Sequence, residues 1–207
     1  MPSSHWSRRR LVVAVSLVVG AGIIPAVASS VPVGAVSPDV VVSQVYGGGG
    51  NSGAPFTNDF VELFNRGASP VSLAGWSVQY ASATGTGNFA NNPDVALSGT
   101  LLPGQYHLVQ LAGGANGVPL AAPDTVGTIN MAAGAGKVVV ANTAAGLACN
   151  GGSTPCTPAQ LATIVDLVGY GSANFFEGAG AAPTLTNTTA ALRAEGGCVD
   201  TDNNAAD

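Results

Sequence analysis

The residues best suited to bind a ligand stand in the acidic tail of the sequence. Asp200, Asp202 and Asn204 have the one-three-five spacing that points side-chain oxygens inward around Ca²⁺ in D-x-D-x-N loops. Ala205 stands where that pattern has a turn glycine, and the sequence stops before a bidentate Glu. Asp and Asn also form Asx turns without metal. The spacing therefore predicts either a weak calcium site or a metal-free turn.

The three cysteines divide into a close pair and a single residue. Cys149 and Cys156 flank the segment Asn-Gly-Gly-Ser-Thr-Pro, which can bend so that the two sulfur atoms meet. In an exported chain we expect this pair to form a disulfide. A zinc site is not expected, because no second pair of Cys or His completes a tetrahedral ligand set. Cys198 is left over and is predicted to be a free or intermolecular thiol.

Few residues suit catalysis. Beyond the leader sequence the single histidine is His107, which stands inside a strand pattern and lacks an accompanying G-x-S-x-G motif. Glu62 and Asp166 stand among apolar strand residues, and two such acids could hydrolyse glycosides only at a suitable separation. We expect structural roles instead, with Glu62 accepting backbone amides or meeting Arg66 or Arg193, because buried carboxylates need partners. The chain is predicted not to be an enzyme.

A glycine-rich segment matches the dinucleotide pattern G-x-G-x-x-G at Gly48, Gly50 and Gly53. That fingerprint requires a helix directly after the glycines, so that the helical amides can meet the pyrophosphate. Here residues 54–56 and a strand pattern follow. We interpret the segment as a loop, and no cofactor is expected apart from the possible calcium ion.

The first 28 residues have the parts of a secretory signal peptide. Three arginines at 8–10 precede an apolar run at 11–24 and an Ala-x-Ala cleavage sequence at 26–28. The run of 14 residues is shorter than the roughly 20 needed to cross a bilayer, which favours cleavage over an uncleaved anchor. No membrane span is expected after cleavage. The remaining 179 residues carry three basic and eleven acidic side chains, a net charge of −8. Direct nucleic-acid binding is not expected, because basic residues do not cluster.

Alternation of apolar and polar residues predicts an all-β domain at 39–207, after a linker at 29–38. A Gly/Ser/Pro turn at 65–70 predicts that the runs on either side of it are antiparallel neighbours. The predicted strands are residues 40–46, 58–64, 76–80, 106–111, 137–142 and 164–171.

Four sequence blocks, in this order, resemble the lamin tail domain family, in the type found in secreted bacterial proteins. They lie at residues 59–67, 73–76, 101–106 and 165–171. The resemblance implies an immunoglobulin-like antiparallel β-sandwich. In relatives the acidic stretch leads to Phe and a last strand, so the resemblance implies a domain that lacks this strand. Relatives also often carry a cysteine that could pair with Cys198, where this chain has Phe175.

The resemblance implies a secreted, non-catalytic interaction or adhesion module in the extracellular space or on a cell surface. Its expected partner is an extracellular protein or a surface polymer. Contacts are expected at the long loops 47–58, 81–94 and 112–135, because a sandwich presents loops on a rigid scaffold. The alternative is the N-terminal accessory module of a secreted nuclease or phosphoesterase whose catalytic domain lies beyond residue 207.

Overall fold

The computed structural model describes residue 37 and residues 39–207. The predicted signal peptide at 1–28 and the rest of the predicted linker lie outside the described residues. Ser37 is buried, and its carbonyl accepts a hydrogen bond from Nη2 of Arg66 at 2.6 Å. The folded domain therefore includes Ser37. None of the helices in the described part has the length and apolarity needed to cross a membrane.

Within the described residues, eleven strands form two main sheets and a small two-stranded one. The first sheet has the order β11-β1-β2-β7-β8, the second has the order β10-β9-β4-β5, and β3 pairs with β6. All pairings are antiparallel except that of β7 with β8. The strands are β1 (Val40–Tyr46), β2 (Asn58–Asn65), β3 (Val71–Ser72), β4 (Ser77–Ser82), β5 (Val95–Ala96), β6 (Thr100–Leu101), β7 (Tyr106–Gly113), β8 (Thr125–Val126), β9 (Gly136–Ala141), β10 (Ile164–Tyr170) and β11 (Ala191–Leu192).

Helical structure is limited to short turns. These are a 3₁₀ turn at Phe89–Asn91, α1 (Pro158–Leu161) and α2 (Ala194–Gly197). In α1 the hydroxyl of Thr157 accepts from the amide of Gln160 and the Gln160 side chain reaches back, which forms a capping box. The all-β antiparallel sandwich is confirmed.

The expected pairing of the two runs around the turn at 65–70 is wrong. β2 lies between β1 and β7 in the first sheet, whereas β4 lies between β9 and β5 in the second. Both strands have an apolar face that must be buried, and they bury it against each other across the core rather than side by side. The connection between them, which includes β3, carries the chain from one sheet to the other.

The main core lies between the sheets. Val61 and Leu63 of β2 and Val109 of β7 join Val78 and Val140 of the second sheet in one buried cluster. Alternate residues of these strands point inward, which gives each sheet one apolar face.

A smaller cluster covers the other face of the second sheet. It contains Phe89, Val139, Leu147, Cys149 and Phe175. The predicted disulfide between Cys149 and Cys156 is confirmed, with an S–S distance of 2.05 Å. The disulfide closes the loop that covers the outer face of β9. Because the main core covers the other face, β9 is buried on both sides.

The glycine-rich segment is packed against neighbouring backbone. A Cβ atom on Gly49 would lie 2.0 Å from the carbonyl carbon of Asn58, so only glycine fits there. Asp59 accepts from the amides of Gly49 and Met131 at 2.8 and 2.9 Å, which ties the loops 47–58 and 112–135 together. Burial raises the pKa of Asp59 to about 6, against these two hydrogen bonds. The loop interpretation holds, since β2 rather than a helix follows the glycines.

Candidate functional site

A buried cluster of charged side chains lies where β1 of the first sheet meets β10 of the second. Asp166 comes from β10 and Arg193 from the residue after β11. Glu177, Asp200 and Asp207 come from the segments that follow these strands. Their side chains are almost entirely shielded from solvent. The fold therefore gathers four carboxylates around one guanidinium group.

All three nitrogens of the Arg193 guanidinium have acceptors. Nε donates to the carbonyl of Val42 at 3.0 Å. Nη1 donates to Asp200 Oδ1 at 3.0 Å and to Asp207 Oδ2 at 2.7 Å. Nη2 donates to Asp166 Oδ1 at 3.0 Å and lies 3.6 Å from Glu177 Oε2. Such multidentate pairing suits the planar fork of Arg.

The four carboxylates carry more negative charge than Arg193 and the nearby Arg66 can balance. We therefore expect at least one carboxyl group of the cluster to be protonated. Burial, reinforced by the charges of Asp166 and Asp200, raises the pKa of Glu177 to about 10. Burial also raises the pKa of Asp166, and Arg193 opposes that shift. Glu177 is therefore the uncharged member of the cluster at neutral pH.

Asn204 takes the place of a neighbouring strand along the outer edge of β10. Its Oδ1 accepts from the amide of Gly169 at 2.8 Å, and its Nδ2 donates to the carbonyl of Leu167 at 2.9 Å. The same Nδ2 donates to Glu177 Oε2 at 3.1 Å. One side-chain amide thus satisfies a donor and an acceptor of an edge strand, groups that would otherwise be open to pairing.

Side chains of the cluster also form hydrogen bonds with backbone groups on the edge of β1. The amide of Val42 donates to Asp166 Oδ2 at 2.5 Å, and its carbonyl accepts from Arg193. β11 pairs with Gln44 and Val45 of β1, and the backbone amide of Arg193 donates to the carbonyl of Ser43. Side chains satisfy both backbone groups of Val42. The arrangement can close two sheet edges, and a cavity of about 470 Å³ beside it is lined in part by Arg193, Asn204 and Asp207.

The cluster also has the spacing of a cation site. One oxygen each from Asp166, Glu177 and Asp200 lies within 4.8 Å of the others. Arg193 already supplies a cation there. Asp200 Oδ2 accepts no hydrogen bond of good geometry. It forms an ion pair with Arg66, whose Nη2 lies 3.3 Å away.

The residues predicted to bind calcium are only partly brought together. The amide of Asp202 donates to Asp200 Oδ1 at 3.1 Å, which is an Asx turn. Asp200 also pairs with two arginines, and the Asn204 amide binds β10. The oxygens of Asp200 and Asn204 therefore have protein partners, and the calcium site stays a prediction.

Of the two strand acids considered from the sequence, Asp166 meets Arg193. The expectation that Glu62 accepts backbone amides or meets Arg66 or Arg193 is wrong. Glu62 points to the outer face of the first sheet, where its Oε1 accepts from the Ser43 hydroxyl at 2.8 Å. A strand pattern shows which residues alternate, but the neighbouring strands decide whether the polar face is open to water.

His107 and Cys198 have local roles in the structure. His107 Nε2 lies 2.8 Å from Thr125 Oγ1, and burial lowers its pKa, against the charge of Asp124. This contact joins β7 to β8. Cys198 forms no disulfide within the described residues, and its thiol donates to the carbonyl of Glu195 at 3.0 Å. An intermolecular pairing of Cys198 stays a prediction.

Sequence reasoning missed the role of Lys137. Its side chain is fully buried, and Nζ donates to the carbonyl of Asn150 at 2.8 Å and to Asn174 Oδ1 at 2.9 Å. Burial lowers its pKa to about 8. The sequence feature that could have indicated this role is a lysine inside an otherwise apolar strand. Its ammonium group holds the disulfide loop against β9.

An immunoglobulin-like sandwich with a charge cluster that closes its sheet edges defines the structural class. The family model described as Lamin Tail Domain matches residues 34–201. This chain therefore belongs to the lamin tail domain family, which confirms the resemblance seen in the sequence. The family consists of non-catalytic, immunoglobulin-like interaction domains. No curated protein is significantly similar to this chain.

Proposed function

We propose that this chain is an exported, non-catalytic interaction module that acts on the surface of a bacterium or in its surroundings. The observation that carries the proposal is the use of the buried charges. Arg193 and Asp166 bond with each other and with the edge of β1. The side chain of Asn204 bonds with Glu177 and with the edge of β10. Polar groups committed to the fold in this way stabilise a scaffold rather than act on a substrate.

Export is supported by the disulfide between Cys149 and Cys156, since disulfides persist in oxidising compartments. The signal-peptide pattern at residues 1–28 points the same way. The proposed partner is an extracellular protein or a surface polymer.

The hydrogen bonding of the long loops supports a binding role without catalysis. Asp59 joins the loops 47–58 and 112–135, and the Asn150 side chain donates to the carbonyls of Gly85 and Gly87 in the loop 81–94. Loops held in one conformation lose little entropy when a partner binds.

The test is to express the full chain in an exporting bacterial host and to examine the exported product. We expect cleavage after Ala28, one disulfide, and saturable binding to isolated cell envelopes. We expect no hydrolysis of plasmid DNA or p-nitrophenyl phosphate. Retention in the cytoplasm, or hydrolysis that co-purifies with the monomeric chain, would contradict the proposal.

A further inference from the structure

The outer face of the first sheet presents apolar side chains to solvent on three different strands. Tyr106 of β7 is 46% exposed, Val126 of β8 is 64% exposed and Leu192 of β11 is 55% exposed. Strand registers place them on one face: Leu192 lies opposite Gln44, Tyr106 opposite Phe64, and Val126 beside Gln110. The inner-face residues of the same strands lie in the core, so these side chains point away from it.

Planar polar side chains alternate with the apolar ones on this face. Gln44 of β1 lies opposite Glu62 of β2, and Glu62 lies opposite Leu108 of β7. Adjacent strands are about 4.8 Å apart, so these groups form a row across the sheet. Gln44, Glu62 and Gln110 are all partly exposed. The face therefore combines apolar surface with amide and carboxylate hydrogen-bonding groups.

Tyr106 is held in a fixed orientation. Its ring centroid lies 4.6 Å from that of Phe64, and its hydroxyl donates to the carbonyl of Gly196 at 2.6 Å. An aromatic ring that is already fixed loses little freedom on binding. Its negative π face attracts the positively polarised C–H groups of a stacked partner.

The charges of the molecule favour an uncharged partner. Among the described residues, Lys137 and Arg193 are buried, and Arg66 is one-quarter exposed and paired with Asp200. The face itself offers one carboxylate and two amides. An anionic polymer would find no exposed cation there, and the chain is acidic as a whole. A protein partner would favour a contiguous apolar patch, whereas polar side chains separate the apolar ones here.

We propose that the outer face of the first sheet, centred on Tyr106, Gln44, Glu62 and Gln110, binds an uncharged polysaccharide. A pyranose ring has an apolar C–H face, which can stack on Tyr106, and equatorial hydroxyls, which can bond with the amides and the carboxylate. The inference rests on the proposed function, because it specifies the chemistry of the module's partner.

The experiment is a depletion assay of the exported, purified protein on insoluble cellulose, chitin and β-1,3-glucan. We expect saturable retention on at least one of them that persists in 1 M NaCl, since neutral contacts are little affected by screening. Tyr106→Ala should weaken that retention about tenfold, as expected for the loss of an aromatic contact. Tyr106→Phe should retain most of the binding, because it keeps the ring.

The matched control is Leu102→Ala, because Leu102 is 45% exposed and lies outside the first sheet. Its retention should equal that of the unaltered protein, and thermal unfolding of all variants checks that they are folded. Retention on none of the three polymers, or equal retention after Tyr106→Ala, overturns the inference.

Sedimentation separates the remaining outcomes. A dimer that Tyr106→Ala converts to a monomer would make this face a contact between copies and would also overturn the inference. Binding to envelope proteins without polysaccharide retention would remove the inference and leave the proposed function standing. Binding to neither would remove both.

Discussion

The guanidinium of Arg193 lies among four carboxylates at distances of 2.7 to 3.6 Å. Burial alone would lower the pKa of Arg193, but the charges of Asp166, Asp200, Glu177 and Asp207 outweigh it and raise that pKa. Arg193 is the cation that contacts all four carboxylates, whereas Arg66 pairs with Asp200 alone. Removing Arg193 would leave buried carboxylates facing each other.

We expect Arg193→Met to lower the free energy of unfolding by about 3–5 kcal/mol, the usual cost of breaking a buried ion pair from one side. The matched control is Arg66→Met, whose side chain is 25% exposed where it pairs with Asp200. Its loss should be about 1 kcal/mol. Urea unfolding at neutral pH measures both, and equal losses would contradict a central role for Arg193.

At the scale of elements, Asn204 acts as a substitute for a strand beside β10. We expect Asn204→Ala to speed hydrogen exchange of the Gly169 amide about 10- to 100-fold, because that N–H loses its buried acceptor, at a cost of about 1–3 kcal/mol. Exchange measured by NMR reports this site directly. Asn203→Ala is the neighbouring control, since Asn203 Oδ1 accepts only from the exposed amide of Ala179. Unchanged exchange at Gly169 would show that another group closes the edge.

The disulfide stabilises the loop over β9. We expect the double change Cys149→Ser and Cys156→Ser to cost about 2–3 kcal/mol, because the closed loop is short. Thermal or urea unfolding measures this loss. Cys198→Ser should leave stability within about 0.5 kcal/mol. Alkylation without reduction should modify one thiol per chain, and modification of none would place Cys198 in a disulfide with another chain.

At the scale of the whole molecule, the buried acids make stability depend on pH. The pKa of Glu177 is raised from 4.5 to about 10, so its contribution is complete below about pH 4.5 and is lost as pH rises toward 10. The pKa of Asp59 is raised from 3.8 to about 6, so its contribution to stability is also lost as pH rises, over the range from about 4 to 6. Lys137 has a pKa lowered to about 8, and its contribution is lost as pH falls through 8.

We therefore expect the free energy of unfolding to fall between pH 5 and pH 8, where the unfolded chain binds fewer protons than the folded one. Glu177→Gln should flatten this slope, because the amide mimics the protonated acid. Urea unfolding at several pH values checks both statements. A slope that is the same in the two proteins would show that Glu177 does not hold the proton.

Local patterns in the sequence determined the long strands and the disulfide. Alternation of apolar residues located β1 and β2, because side chains of a strand point to opposite faces whatever lies beside it. The six residues between Cys149 and Cys156 made their pairing predictable, because a short loop keeps both sulfur atoms near each other. Ordered blocks of residues indicated the family.

Only the tertiary structure decided which sheet each strand joins and which charges meet. β2 and β4 are separated in sequence only by a connection that contains β3, but they lie in different sheets, because each buries its apolar face against the other. Glu62 and Asp166 have similar strand contexts, yet one faces the open side of a sheet and the other the seam between sheets. Arg193 meets acids up to 27 residues before it and 14 after it. Such contacts depend on the packing of the whole chain, and no local pattern encodes them.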